Sequence, residues 1–129
     1  MKELIENLIN QKDKKSLIIW ASDCAEHVLF YFENKHPNDD RPRKAIEIGR
    51  AWSRDEINCS LARKAASDAH AAARDADDAM ARASARIAGQ ACSIAHSAGH
   101  AMAVLYYTTK YIPDELDWQY CHLLMLQIS

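Results

Sequence analysis

Apolar residues recur at helical spacing along nearly the whole chain, and the breaks in that spacing fall on residues that start or end helices. Leu4, Ile5, Leu8 and Ile9 share one side of a first helix predicted over Lys2 to Gln11. Asp13 or Ser16 starts a second, because short oxygen-bearing side chains accept unpaired amide protons there. Its core face reads Leu17, Trp20/Ala21, Cys24, Val28 and Tyr31/Phe32. Pro37 and the run Asn38-Asp39-Asp40 close it. Asp40 is the expected cap of a third helix, with Pro42 in the first turn and Ala45, Ile46, Gly49 and Trp52 on the apolar side. Asn58 or Ser60 caps a fourth, Leu61 to about Asp75, and Asp77 and Asp78 suit the positive end of a fifth. Along the fifth, Met80, Ile87, Ile94 and Ala101 alternate with Ser84, Ala91, Ala98 and Leu105, a heptad-like seam. Pro113 opens a last helix through Trp118, Tyr120, Leu123, Leu124 and Leu126. Six helices are predicted, the fifth open to a break near Gly99.

Composition narrows this to one class. Three glycines and three prolines in 129 residues are too few turn signals for an all-β chain. Alanine, the strongest helix former, is concentrated between Ala62 and Ala103. The expectation is all-α: a compact single-domain bundle over residues 1–129, about six helices around a central Ala-rich one. Ile87 to Thr109 carries no charge apart from histidine and would reach about 35 Å as one helix. Gln90, Ser93, His96, Ser97 and His100 recur along it, however, and no aromatic and basic belt flanks it. It therefore reads as a helix enclosed by protein, with no membrane partner.

Cys24, Cys59, Cys92 and Cys121 stand about thirty residues apart with no C-x-x-C pair, and the N-terminus has no apolar signal core. Free buried thiols in a reducing cytoplasm are the simplest reading. The net charge of −2 counts against a general nucleic-acid coat. The charge is uneven, with seven Lys/Arg against three acids in residues 41–64. There, Arg43, Arg50 and Arg54 are spaced to share a helix face. Guanidinium forks bind carboxylates and phosphates alike, so a partner surface and internal pairing with Asp39, Asp40, Glu47 and Asp55 are both open.

The sharpest chemical signal is "HSAGH", which puts His96 and His100 on one face if the helix is continuous. His70, on the preceding helix, could approach them if the two pack antiparallel. Helix two offers Asp23, Cys24, Glu26 and His27. Two readings follow. Asp23, His70, His96 and His100 form a buried polar or ligand-binding cluster, or His70, His96 and His100 hold a divalent metal. "HSAGH" lacks the glutamate of H-E-x-x-H, and no G-x-S-x-G or phosphate-cradling glycine loop occurs. No catalytic residue is assigned and no cofactor is required.

Seven stretches taken in order, "WASDCAEHVL" (20–29), "DRPRKAI" (40–46), "AWSRDEI" (51–57), "ARKAA" (62–66), "AHAAAR" (69–74), "AHSAGHA" (95–101) and "WQ" (118–119), resemble a bacterial family of putative immunity proteins of toxin–immunity systems. One departure stands out: Asp55 occupies a position where the family pattern leads one to expect glycine. The resemblance implies an all-α, non-enzymatic cytoplasmic protein that binds and neutralises a cognate protein toxin by occlusion. Arg41, Arg43, Arg50 and Arg54 are then the candidate partner-binding surface. A small helical-bundle metalloprotein, such as a hydrolase, and a nucleic-acid-associated helical module are the alternatives. A homodimer through the Ala-rich seam or the apolar stretch "LLMLQI" (123–128) is a further expectation.

Overall fold

The computed structural model describes residues 1–126. Among these the chain is all helix and connection, with no strand: α1 Lys2–Ile9, α2 Lys14–His27, a one-turn α3 Phe30–Glu33, α4 Arg41–Ser53, α5 Cys59–Asp75, α6 Ala79–Ser93, α7 His100–Tyr111 and α8 Leu116–Leu126. A single 3₁₀ turn, Pro113–Glu115, leads into α8.

The helix starts follow the side-chain chemistry. Asp13 accepts the Ser16 amide, Asn58 the Leu61 amide and Asp78 the Ala81 amide. Asp40 does not cap α4. Pro42 removes one of the amides a cap would accept, Asp39 takes the Arg41 amide instead, and the Asp40 carboxylate pairs with Lys44.

Two predicted helices are divided. The second stops at His27, and the Val28 carbonyl released from its ladder accepts a hydrogen bond from the buried Ser84 hydroxyl of α6 at 2.9 Å. The fifth ends at Ser93. Its hydroxyl donates back to the Gly89 carbonyl, and the amides of residues 94–96 bond three residues back rather than four. The chain thereby turns, and α7 folds back against α6. The six expected helices become seven of eight residues or more, plus α3.

The end of α4 explains the departure noted at Asp55. The Glu56 amide bonds to the Ala51 carbonyl and the Asp55 amide to that of Trp52, the double closure of a Schellman turn. Such a turn needs a left-handed residue, and Asp55 has φ 61°. Glycine adopts that conformation freely, whereas aspartate does so at some cost.

α6 packs against α2, α3, α4, α5 and α7. Its buried Ala81, Ala83, Ala85, Ala88 and Ala91 keep those contacts close. On the other side of the core Trp20 is fully buried and donates to the Gln119 carbonyl at 3.0 Å, anchoring α8 to α2. Trp52 and Trp118 are only partly buried. Of the thiols expected to be buried, Cys24 and Cys92 are; Cys59 is half-buried and Cys121 exposed, all four being free. No helix among the described residues is long and apolar enough to cross a membrane. In the stretch proposed for self-association, Leu123 is buried and Met125 is 66% exposed, while Gln127 and Ile128 lie outside the described residues.

Candidate functional site

The α5 sequence places Arg63, Ser67, His70 and Arg74 along one stripe, at steps of four, three and four. On α6 the positions Arg86, Gln90 and Ser93 form a second stripe. Because α5 and α6 run antiparallel across a short connection, the stripes face each other. His96, in the turn after α6, and His100, at the first position of α7, close the end. Together these side chains line an open cavity of about 500 Å³.

His70, His96 and His100 line one cavity, but not through a shared helix face. The break at residues 94–99 puts His96 outside any helix, and its ring centroid lies 6.5 Å from that of His100. Each ring has a defined partner. Arg86 Nη1 donates to His70 Nδ1 at 2.9 Å, and Arg63 donates to His96 Nδ1. His100 Nδ1 donates to Gln90 Oε1 at 2.7 Å. Burial, reinforced by Arg86, Arg74 and His100, drives the His70 pKa down to about 4. Burial and His96 lower that of His100. Both rings are neutral near pH 7, in a cavity with no carboxylate among its lining residues.

That absence contrasts with the rest of the surface. Arg41 pairs with Asp39 and Asp75, Arg43 with Glu33, Arg50 with Asp23 and Glu26, and Arg54 with Glu56. The four arginines read from the sequence as partner-facing are therefore already engaged, and Arg43 holds the Glu33 carboxyl below its usual pKa. Arg63, Arg74 and Arg86, none of them singled out as partner-binding from the sequence, have no carboxylate partner among the described residues.

Asp23 does not join the histidines. It lies on the α2 face toward α4 and α8, where Oδ1 accepts from Arg50 and Oδ2 from His122 Nε2, both at 2.7 Å. His27 bonds Glu115 at 2.6 Å. The rings of His27, Trp118 and His122 stack in sequence, with centroids 3.9 Å and 4.8 Å apart. Acidic, basic and aromatic groups satisfy one another here, and this cluster has the character of a clasp holding α8.

No three His, Cys, Asp or Glu side chains among the described residues are placed to share a metal ion. In the basic cavity the Nδ1 lone pairs of His70 and His96 already accept from guanidiniums. Three neighbouring cations further disfavour a divalent ion. The residue types and charge suit an anion instead.

A family model described as "Imm-5 like putative immunity protein" matches residues 7–120, a span holding all of the basic cavity and all of the clasp except His122. No curated protein and no solved structure matches the chain.

Proposed function

We propose, from the premise that this chain belongs to the Imm-5 like putative immunity protein family, that it is a non-enzymatic cytoplasmic binder that neutralises a cognate protein toxin by covering it. The observation that supports this most directly is the group Arg63, Arg74 and Arg86, three guanidiniums without a carboxylate among the described residues, on a chain of net charge −2. Like charges gathered in one cavity repel, so the cluster contributes nothing favourable to the monomer that an acid on a partner would not improve.

The surroundings support the same reading. Arg86 also lines a neighbouring hollow of about 270 Å³ with Arg82, Tyr107 and Tyr111, and Tyr106 is 51% exposed. Arginine and tyrosine are the residue types that most often carry interface energy. Arg41, Arg43, Arg50 and Arg54 take a secondary role at the rim. Exposed ion pairs add little to stability, and their charges can still steer an approaching acidic surface.

The test is growth protection and direct binding with a candidate toxin encoded beside this chain, comparing wild type with Arg74→Glu/Arg86→Glu. Protection by the wild type and its loss in the reversed variant is the expected pair of results. A wild type that neither binds nor protects against such toxins overturns the immunity reading. Protection unchanged by the reversal overturns the choice of face.

A further inference from the structure

We infer that the cavity between α5, α6 and the start of α7 is a binding site for a doubly charged oxygen group, held by Arg63, Arg74 and Arg86 with the histidines as its floor. The group is either a free oxyanion of the phosphate or sulfate type, or two neighbouring carboxylates on an acidic segment of the partner. Both present the same chemistry to guanidinium forks. Only the second source rests on the immunity reading.

Three observations converge on this. First, donors far outnumber acceptors. Each guanidinium carries five N–H groups, yet among the described residues Arg63 and Arg86 have only ring nitrogens of His96 and His70 to donate to, and the Arg74 side chain makes no hydrogen bond. The guanidiniums of Arg41, Arg43, Arg50 and Arg54 are met by carboxylates, and that of Arg82 by the Ala76 and Asp77 carbonyls. Second, the cavity, about 500 Å³ and open to solvent, is large enough for such a group and keeps the arginine heads at its wall.

Third, the histidines hold charge in reserve. The charged and titratable groups around His70 are Arg63 and Arg74 from α5, Arg86 and Cys92 from α6, His96 from the turn and His100 from α7, the Cys92 thiol being kept protonated by burial. The other polar groups, Ser67, Gln90 and Ser93, are neutral, and no acid faces the ring. With the cavity empty, protonating His70 adds a cation to a cationic site. A bound dianion reverses that balance, so occupancy is coupled to proton uptake at His70 and His100.

Sulfate is the probe of choice, because it stays doubly charged while the histidines titrate. The full chain is titrated with sodium sulfate at ionic strength held constant with chloride, following the imidazole signals of its six histidines by NMR. The expected result is saturable binding of one sulfate per chain, with the signals of His70, His96 and His100 moving together. Binding should tighten from about pH 8 to about pH 6 as the rings take up protons. Arg74→Gln/Arg86→Gln should weaken it about tenfold or more, while Lys35→Gln, which removes an exposed positive charge outside the cavity, leaves it unchanged. Should the double variant not fold, the exposed Arg74→Gln alone serves. A non-saturating drift, or binding equally reduced by Lys35→Gln, overturns the site.

Competition then separates the two sources. Sulfate that displaces the toxin identifies the partner's acidic segment as the occupant, and sulfate that binds without affecting the toxin identifies a free oxyanion. No sulfate binding, together with loss of toxin protection in the Arg74→Glu/Arg86→Glu variant, refutes this inference and leaves the immunity reading standing.

Discussion

The imidazole of His70 lies directly against the backbone of Gly89. A β-carbon added at Gly89 would come within 2.8 Å of ring atoms Cε1 and Nε2. The α5 histidine fits because α6 offers bare backbone at that turn, and this contact holds the ring beside Arg86.

Gly89→Ala should therefore push the His70 ring outward while leaving the charge of the site intact. The ring is the end of a flexible side chain, so the stability cost should stay at about 1 kcal/mol. The His70 pKa should rise from about 4 toward its ordinary value as burial is relieved, readable from the imidazole NMR signal. Gly99→Ala is the control. Its helical φ of −57° and open surroundings should make it neutral or stabilising by about 0.4–1 kcal/mol.

The depressed His70 pKa also sets a pH dependence. The unfolded chain binds a proton at this residue near pH 6.5, whereas the folded chain does so only at about 4. Between those values the unfolded state binds more protons, so acidification across this window favours unfolding. Urea midpoints should fall from pH 7 toward about pH 4, and His70→Gln should flatten that decline. Losses at lower pH belong to the carboxylates of Asp13, Glu33 and Asp39, whose pKa values are lowered by the Ser16 amide, Arg43 and Arg41 respectively. An unchanged slope in His70→Gln would show that the ring is not held neutral.

Asp55→Gly should stabilise the fold by about 0.5–1 kcal/mol, because glycine accepts the left-handed conformation without steric cost. The accompanying loss of the exposed Lys15–Asp55 pair offsets little of this. Asp55→Val, β-branched at the same φ, should destabilise by more than about 1 kcal/mol. Thermal or denaturant midpoints decide both.

Asp23→Ala should loosen α8. It leaves His122 without its acceptor and Arg50 with Glu26 alone, at a cost of about 1–2 kcal/mol given partial exposure of the cluster. Faster amide exchange in α8 and a shifted Trp118 emission are the expected signals, since Trp118 stacks on His122. Sulfate binding should be unaffected because the two clusters share no residue. A loss of sulfate binding would mean that the clasp and the basic cavity are coupled.

Much of this was legible in the residues themselves. Caps such as Asp13, Asn58 and Asp78 act through side chains only three positions from the amides they bind, so local chemistry decides them. Asp55 stood out only through the family resemblance, and the left-handed turn it occupies is closed by its immediate neighbours. The α5 stripe of Arg63, His70 and Arg74 follows from helical periodicity alone.

The break at Val28 was not legible, and Gly99 marked only roughly the one at residues 94–99, because what ends those helices is the packing of distant elements. Ser84 captures the carbonyl of Val28 from 56 positions away, and α7 gains more by folding against α6 than by extending into water. The sorting of polar groups into two clusters was decided the same way. Asp23 met His122 rather than the other histidines because α8 docks on α2 through Trp20. Helix content and caps are thus properties of short stretches of chain. Which charges are neutralised and which are left for a partner depends on which helices come to lie side by side, and long-range packing settles that in tertiary structure.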